Sequence, residues 1–228
     1  MKSIRSFLLA CLLLLLSGNL LSQTDLKSLD KVYGLDPLLY NGVKYIYFLP
    51  PGTGGHQYLQ SPDYFTGSVT IKEETFDGIT LNYDIYNQVL LLRYADDKGA
   101  FNIIEISKSW LKEFQLGNKY FKYLDLGDGL KFYQFLGEGK IKLVYYWFKN
   151  LNLDVGSSGN FTFTPSFRSS FILKDNRLMP YRNKRGFIDI MGKEHKKEIK
   201  KHIRKHKIKL KKATDEEMTE LIDYIGNL

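Results

Sequence analysis

The stretch Gly67–Tyr94, GSVTIKEETFDGITLNYDIYNQVLLLRY, carries the clearest structural pattern of this chain. From position 79 to 86, apolar residues at odd positions alternate with mostly polar residues at even positions, the period of a strand buried on one face. Asn87-Gln88 interrupts this alternation, and the apolar run Val89–Leu92 follows. The pattern predicts a β-hairpin with a two-residue loop, in which Ile85 faces Leu90 and Tyr83 faces Leu92. The opposite, polar face would carry Thr80, Asn82, Asp84 and Arg93.

A third strand precedes this hairpin. Val69 and Ile71 alternate with polar residues, and Glu73-Glu74 is the predicted reversal, which would set Phe76 opposite Ile71. The inward-facing positions change from even to odd between Phe76 and Ile79, and Asp77-Gly78 is a suitable place for a bulge. The stretch therefore predicts a three-stranded antiparallel meander.

The rest of the chain up to residue 192 continues in the same way. Its aromatic residues, part of a total of 16 Tyr and 15 Phe, fall in short runs between turn residues, which favours strands. Further hairpins are predicted around Gly137-Glu138-Gly139 and Asp175-Asn176. We expect a mainly β fold, an antiparallel meander forming a curled sheet, a sandwich or an open barrel, over residues 23–192.

The C-terminal segment, residues 193–228, predicts two short helices packed on the same domain, near 193–206 and 215–226. Thr214 and Glu217 have the spacing of a capping box. Met218, Leu221, Ile222 and Ile225 form the apolar face of the second helix.

Residues 1–22 have the features of a secretory signal peptide, with Lys2 and Arg5 before an apolar run. They predict export to a periplasmic, outer-membrane-associated or extracellular location. Cys11, the single cysteine, lies within this segment, so the processed chain would form no disulfide. The residues around Cys11 also resemble a lipoprotein cleavage box, but the apolar run continues beyond it.

Positive charge is concentrated in residues 193–212, which hold eleven Lys or Arg against two Glu, whereas the whole chain has a net charge of +8. This segment predicts weak binding of an anionic partner, either an anionic envelope polymer or a membrane surface. The alternative is a solvated helix whose lysine stems cover apolar surface. Export argues against a nucleic-acid partner. The candidate anion-binding residues are Lys196, Lys197, Lys200, Lys201, Arg204 and Lys205.

Catalytic and cofactor motifs give no site. The glycine-rich loop before His56 lacks the lysine and hydroxyl residue of a phosphate-binding loop, and His56 has no predicted partner. His202 and His206 have a metal-ligand spacing, but lysines and an arginine surround them, so we expect no metal and no cofactor. We expect a secreted, non-enzymatic binding or structural module of the bacterial envelope. A hydrolase of envelope polymers, using carboxylates that the sequence does not identify, is the alternative.

The segment YDIYNQVLLLRY, the strand before it and the basic and acidic C-terminal helices resemble a group of secreted bacterial proteins. The similarity covers Gly67–Tyr94 and, more loosely, Ser170–Leu228. No activity is attached to that group, so the resemblance implies export and a β-rich body and supplies no site residues.

Overall fold

The computed structural model describes residues 35–96, 98–153, 160–175, 177–192 and 194–228. Nearly all of them belong to one compact unit, Pro37–Leu228. The predicted signal peptide, residues 1–22, lies outside the described residues.

The described residues of this unit form thirteen strands and three helices. The strands are β1 Gly42–Lys44, β2 Phe65–Ile71, β3 Glu74–Asp84, β4 Val89–Ala95, β5 Phe101–Ile106, β6 Leu111–Leu116, β7 Lys119–Asp125, β8 Leu130–Leu136, β9 Ile141–Phe148, β10 Leu151–Leu153, β11 Phe161–Phe163, β12 Phe167–Lys174 and β13 Arg177–Pro180. The helices are α1 Lys184–Met191, α2 Lys196–Lys205 and α3 Asp215–Gly226. The mainly β prediction is confirmed.

Eleven strands form one antiparallel sheet in the order β1-β5-β4-β3-β2-β6-β7-β8-β9-β12-β13, and β10 and β11 form a separate pair. The large sheet is open, with β1 and β13 at its edges. The predicted antiparallel meander is confirmed, and the sheet is unclosed and curled.

The curl is visible in the core. Strands β3 and β8 are separated by three others, so a flat sheet would hold them ~19 Å apart at ~4.8 Å per strand. The ring centroids of Tyr83 on β3 and Phe132 on β8 nevertheless lie 5.3 Å apart. The concave face thus closes around a cluster of four fully buried rings, those of Tyr83, Phe114, Phe121 and Phe132.

The predicted register of the β3–β4 hairpin is wrong by two residues. Tyr83 pairs with Leu90 and Asp84 with Val89, so that the loop has four residues, 85–88. The Asp84 carboxylate accepts hydrogen bonds from the backbone N–H groups of Tyr86 and Asn87, which favours the wider turn. A shift of two residues keeps every side chain on its predicted face. The face predicted to be polar is not solvent-exposed throughout, however, because Asn82 and Asp84 on it are fully buried.

The predicted bulge in β3 is confirmed. Val69 pairs with Phe76 and Gly67 with Ile79, so β3 has one residue more than β2 over this interval. Gly78, in the bulge, has a φ of 69°, a left-handed conformation that glycine adopts without strain. The predicted pairing of Phe76 with Ile71 is wrong, because the turn lies at Lys72-Glu73 instead of Glu73-Glu74.

The helices pack on one part of the sheet. Their buried apolar residues join Leu136, Leu143, Tyr145 and Ile172 from β8, β9 and β12 in one core. The capping box of α3 is confirmed, since Thr214 and Glu217 each accept a hydrogen bond from the other's backbone N–H. Helix α1 was not predicted. It begins after Asn183, whose side chain accepts a hydrogen bond from the Gly186 N–H, and it buries Phe187, Ile188 and Met191.

Candidate functional site

The six predicted anion-binding residues all lie on α2. Five of them are exposed, and Lys196 is half-buried. Ile199 and Ile203, on the opposite side of the helix, are buried in the core. Helix α2 is therefore amphipathic, with its isoleucines in the core and most of its basic residues toward solvent.

A groove between α1 and α2 collects part of this charge. Its volume is about 470 Å³, and Lys196 and Lys200 line it from α2. The other side chains that line it come from α1 and are Lys184, Arg185, Ile188 and Asp189. We call this set of six the basic groove. The remaining predicted residues, Lys197, Lys201, Arg204 and Lys205, do not line it.

The basic groove has an excess of positive charge. Asp189 is its only carboxylate, and it contacts Lys196 Nζ at 3.2 Å and Arg185 Nε at 3.8 Å. Lys184 and Lys200 form no ion pair within the described residues. Four cations against one carboxylate leave a net charge of +3.

The N-terminal end of α1 adds to the positive electrostatic potential of the basic groove. Lys184 and Arg185 lie in the first turn of α1, which contains no acidic residue. The N-terminal end of a helix carries a partial positive charge, so basic side chains there are placed unfavourably. An anion bound between α1 and α2 would relieve this repulsion and would offset part of the net charge of the basic groove.

His202 lies on α2, and His206 follows its last residue. The His202 ring stacks against His206 and Tyr224, with centroid distances of 4.2 and 4.0 Å. Burial lowers the pKa of His202, and the neighbouring His206 and Lys205 lower it further. Across the described ranges, no group of three or more His, Cys, Asp or Glu side chains could hold a metal ion.

A buried polar cluster lies elsewhere, at the β3–β4 turn. We use this name for Tyr45, His56, Gln57, Asp84 and Lys149. Tyr45 donates to Asp84 Oδ2 at 2.6 Å, and Gln57 Nε2 donates to the Tyr45 hydroxyl at 3.3 Å. Lys149 Nζ donates to the His56 carbonyl at 2.7 Å and lies 3.3 Å from His56 Nδ1. The cluster holds the segment 45–57 against the sheet.

Electrostatics in this cluster are strongly perturbed. Burial lowers the pKa of Lys149, and the negative charge of Asp84 offsets part of that effect. Burial also lowers the pKa of His56, with a smaller contribution from Lys149. The Tyr45 pKa is raised by burial and by its hydrogen bond to Asp84. The expectation that His56 has no partner is therefore wrong.

The buried polar cluster does not have the arrangement of a glycosidase. That chemistry uses two facing carboxyl groups, whereas Asp84 is the only carboxylate buried within the described ranges. Its oxygens already accept hydrogen bonds from Tyr45, Tyr86 and Asn87. We therefore assign the cluster a structural role and take the basic groove as the candidate site.

Sequence reasoning identified half of the cations of the basic groove. Lys184 and Arg185 were missed because the pattern did not predict α1. The Asn183 cap, followed by an apolar pair at Phe187 and Ile188, was the signal available for that helix.

Comparisons with protein-family models, curated proteins and solved structures found no match. None of the helices in the described part of the chain has the length and apolar character that crossing a membrane requires. The geometry of the basic groove is therefore the only guide to what this surface binds.

Proposed function

We propose that this chain is a secreted, non-enzymatic binding module that holds an acidic polymer of the bacterial envelope in the basic groove. The observation that supports this proposal is the convergence of Lys184, Arg185, Lys196 and Lys200 on one groove with a single carboxylate. Export follows from the predicted signal peptide.

The surface around the groove favours a polymer over a membrane. Binding to a lipid surface combines basic residues with apolar side chains that enter the bilayer. From Tyr181 to the end of the chain, the only exposed large hydrophobic side chain among the described residues is that of the terminal Leu228. The groove is also recessed between two helices, so an extended chain with regularly spaced anionic groups fits it better than a flat surface does.

The expected affinity is low. An exposed ion pair contributes ~0.2–1 kcal/mol, so four such contacts amount to roughly 1–4 kcal/mol. This corresponds to millimolar or weaker binding for one anionic group. A polymer raises the apparent affinity because neighbouring repeats occupy the groove again after each dissociation.

The test measures binding of the protein to polygalacturonate, with neutral dextran as the uncharged probe. We expect binding to polygalacturonate at about 20 mM salt and a strong decrease by about 300 mM, where the screening length falls below 8 Å. The groove variant is Lys184→Glu/Arg185→Glu/Lys200→Glu. The matched control is Lys44→Glu/Lys98→Glu/Lys108→Glu, which makes the same change in net charge elsewhere.

Loss of binding in the groove variant and retention in the control would support the proposal. Equal loss in both variants would mean that only net charge matters and would refute a defined site. Binding to vesicles containing anionic lipid, with none to polygalacturonate, would assign the groove to a membrane instead and would also refute it.

A further inference from the structure

A second groove lies on the convex face of the sheet, away from the helices. Its volume is about 680 Å³, within the range of ~300–1,000 Å³ that is usual for small-molecule sites. Strands β7, β8, β9 and β12 and the loops at their ends form it. We call it the outer groove, and the side chains that line it are Lys122, Leu124, Leu126, Phe135, Lys140, Lys142, Leu173 and Asp175.

The floor of the outer groove is apolar. Leu124, Leu126, Phe135 and Leu173 provide it, and all four are half-buried. Phe135 faces away from the helices because its neighbours Gln134 and Leu136 point toward them. The outer face of the sheet therefore offers a recessed apolar surface that no other described element covers.

The rim is cationic. Lys140 and Lys142 form no ion pair within the described residues, and Lys142 lies directly opposite Leu173 on the β9–β12 ladder. Lys122 is already engaged, since its Nζ lies 3.5 Å from Glu113 Oε2. Asp175 is the only carboxylate among the lining residues. With Lys122 paired to Glu113, Lys140 and Lys142 against Asp175 leave a net charge of +1 beside an apolar floor.

We propose that the outer groove binds a single-chain anionic amphiphile, a monomeric fatty-acid carboxylate. Its acyl chain lies on the apolar floor, and its carboxylate contacts Lys140 and Lys142. A neutral chain would leave the lysines without an anion, and a small anion would leave the floor uncovered. An amphiphile with both parts matches both features.

The depth of the floor decides between a free molecule and a bilayer. None of the four floor residues is among the exposed large hydrophobic side chains of the described residues. A flat lipid surface cannot reach apolar groups that lie below a rim of lysines. A single detached chain can lie along them.

The first experiment titrates the protein with dodecanoate below its micelle concentration, followed by calorimetry and by amide shifts in heteronuclear NMR. We expect shifts centred on β7, β8, β9 and β12. Each methylene group removed from the acyl chain should weaken binding by roughly twofold to fourfold. The roughly fourfold value applies to a methylene group that is completely buried in the complex. Dodecyltrimethylammonium, with the same chain and opposite charge, should bind at least tenfold more weakly.

The second experiment uses two variants whose fold is checked by circular dichroism. Lys140→Glu/Lys142→Glu should weaken dodecanoate binding at least tenfold, and Leu124→Gln should weaken it without changing the preference for the anion. Lys98→Glu/Lys108→Glu, with the same change in net charge, should bind normally.

Several results would overturn the proposal. They are equal binding of the anionic and cationic chains, unchanged binding by Lys140→Glu/Lys142→Glu, and binding to anionic vesicles without binding to monomeric dodecanoate. Sedimentation velocity provides the remaining arm. A different occupant, a second copy of the chain, would be indicated by three results together: the protein dimerises, Lys140→Glu/Lys142→Glu abolishes the dimer, and dodecanoate does not bind.

Discussion

Replacing Asp84 with asparagine tests whether the buried polar cluster stabilises the fold. The carboxylate accepts hydrogen bonds from Tyr45 Oη, the backbone N–H groups of Tyr86 and Asn87, and Asn87 Nδ2, at distances between 2.6 and 2.9 Å. Asparagine has almost the same shape, but one of its two acceptors becomes a donor. The new amide N–H can still donate to the Tyr45 hydroxyl, because a hydroxyl oxygen also accepts. It cannot pair with Asn87 Nδ2, because both groups are donors.

The magnitude follows from these bonds. The bond from Asn87 Nδ2 is lost, and a hydrogen bond to a charged group is worth ~1.5–3 kcal/mol. The two backbone bonds lose their charge assistance, which costs about 1 kcal/mol more. We therefore expect the free energy of unfolding to fall by about 3 kcal/mol, and the melting temperature by roughly 6–12 °C for a domain of this size.

The deficit should depend on pH because Lys149 loses its compensating charge. The folded-state pKa of Lys149 already lies below its ordinary value of 10.5 through burial, and Asp84 partly restores it. Below its folded-state pKa, Lys149 is charged in the folded protein, and burial of that charge lowers the free energy of unfolding by its full amount. This destabilisation disappears as pH rises from the folded-state pKa toward 10.5. The difference between wild type and Asp84→Asn should therefore narrow at alkaline pH.

Urea unfolding, followed by circular dichroism, measures both effects. Asp96→Asn is the control, because Asp96 also accepts backbone hydrogen bonds in a turn, from Lys98 and Ala100, but is only partly buried. We expect a much smaller loss there. Equal losses for Asp84→Asn and Asp96→Asn, or a deficit that does not change with pH, would contradict the reasoning.

Three further predictions concern stability. In Gly67→Ala, the new Cβ would lie 2.0 Å from the Gln115 carbonyl oxygen. We therefore expect the free energy of unfolding, measured with urea, to fall by at least ~1–3 kcal/mol. Gly139→Ala, where the new Cβ meets no atom within 4 Å, should leave that free energy unchanged or raise it slightly. Tyr83→Phe removes a 2.6 Å hydrogen bond to a glutamine oxygen and should lower the free energy of unfolding by ~1–3 kcal/mol. Tyr145→Phe should not lower it, because the Tyr145 hydroxyl has no hydrogen-bond partner among the described residues; equal effects would contradict this contrast. Burial raises the pKa of both tyrosines, and the hydroxyl of the neighbouring Tyr181 raises that of Tyr145 further. The stabilisation from their neutral forms is complete below the ordinary pKa of 10.0 and is lost as pH rises from there toward the raised folded-state pKa, so the urea midpoint should begin to fall above about pH 10 and continue to fall at higher pH.

For the β3–β4 hairpin, the sequence predicted which face of the sheet each side chain lies on, but it did not predict which residues of the two strands pair. Facing depends on local alternation, and Leu81, Tyr83, Leu90 and Leu92 are all buried as predicted. Register depends on the turn, which is stabilised by distant groups. Gln88 has a left-handed φ of 58°, and its side chain donates to the carbonyl oxygen of Trp147, on β9. A contact between residues 59 positions apart cannot be inferred from local pattern.

The basic groove was predictable only in part for a similar reason. Charge density identified α2, but α1 has eight residues, and Gly186 occupies its third position. Glycine is unfavourable inside a helix by ~1 kcal/mol relative to alanine, so local propensity argues against this helix. Its stability comes from burying Phe187, Ile188 and Met191 against the rest of the core, which is a property of the folded chain.

The strand order also divides the chain at one point. Strands β1–β5 occupy one half of the large sheet, and β6–β9, β12 and β13 occupy the other. Among the described residues, the β2–β6 ladder is the only strand pairing between the two halves. The segment 107–110, between β5 and β6, is therefore a natural place to cut. Each fragment would keep its own hairpins, and the two would recognise each other through that ladder and through Tyr83 meeting Phe114, Phe121 and Phe132. The fold thus has the architecture of a two-part complementation system, in which reassembly regenerates the buried rings.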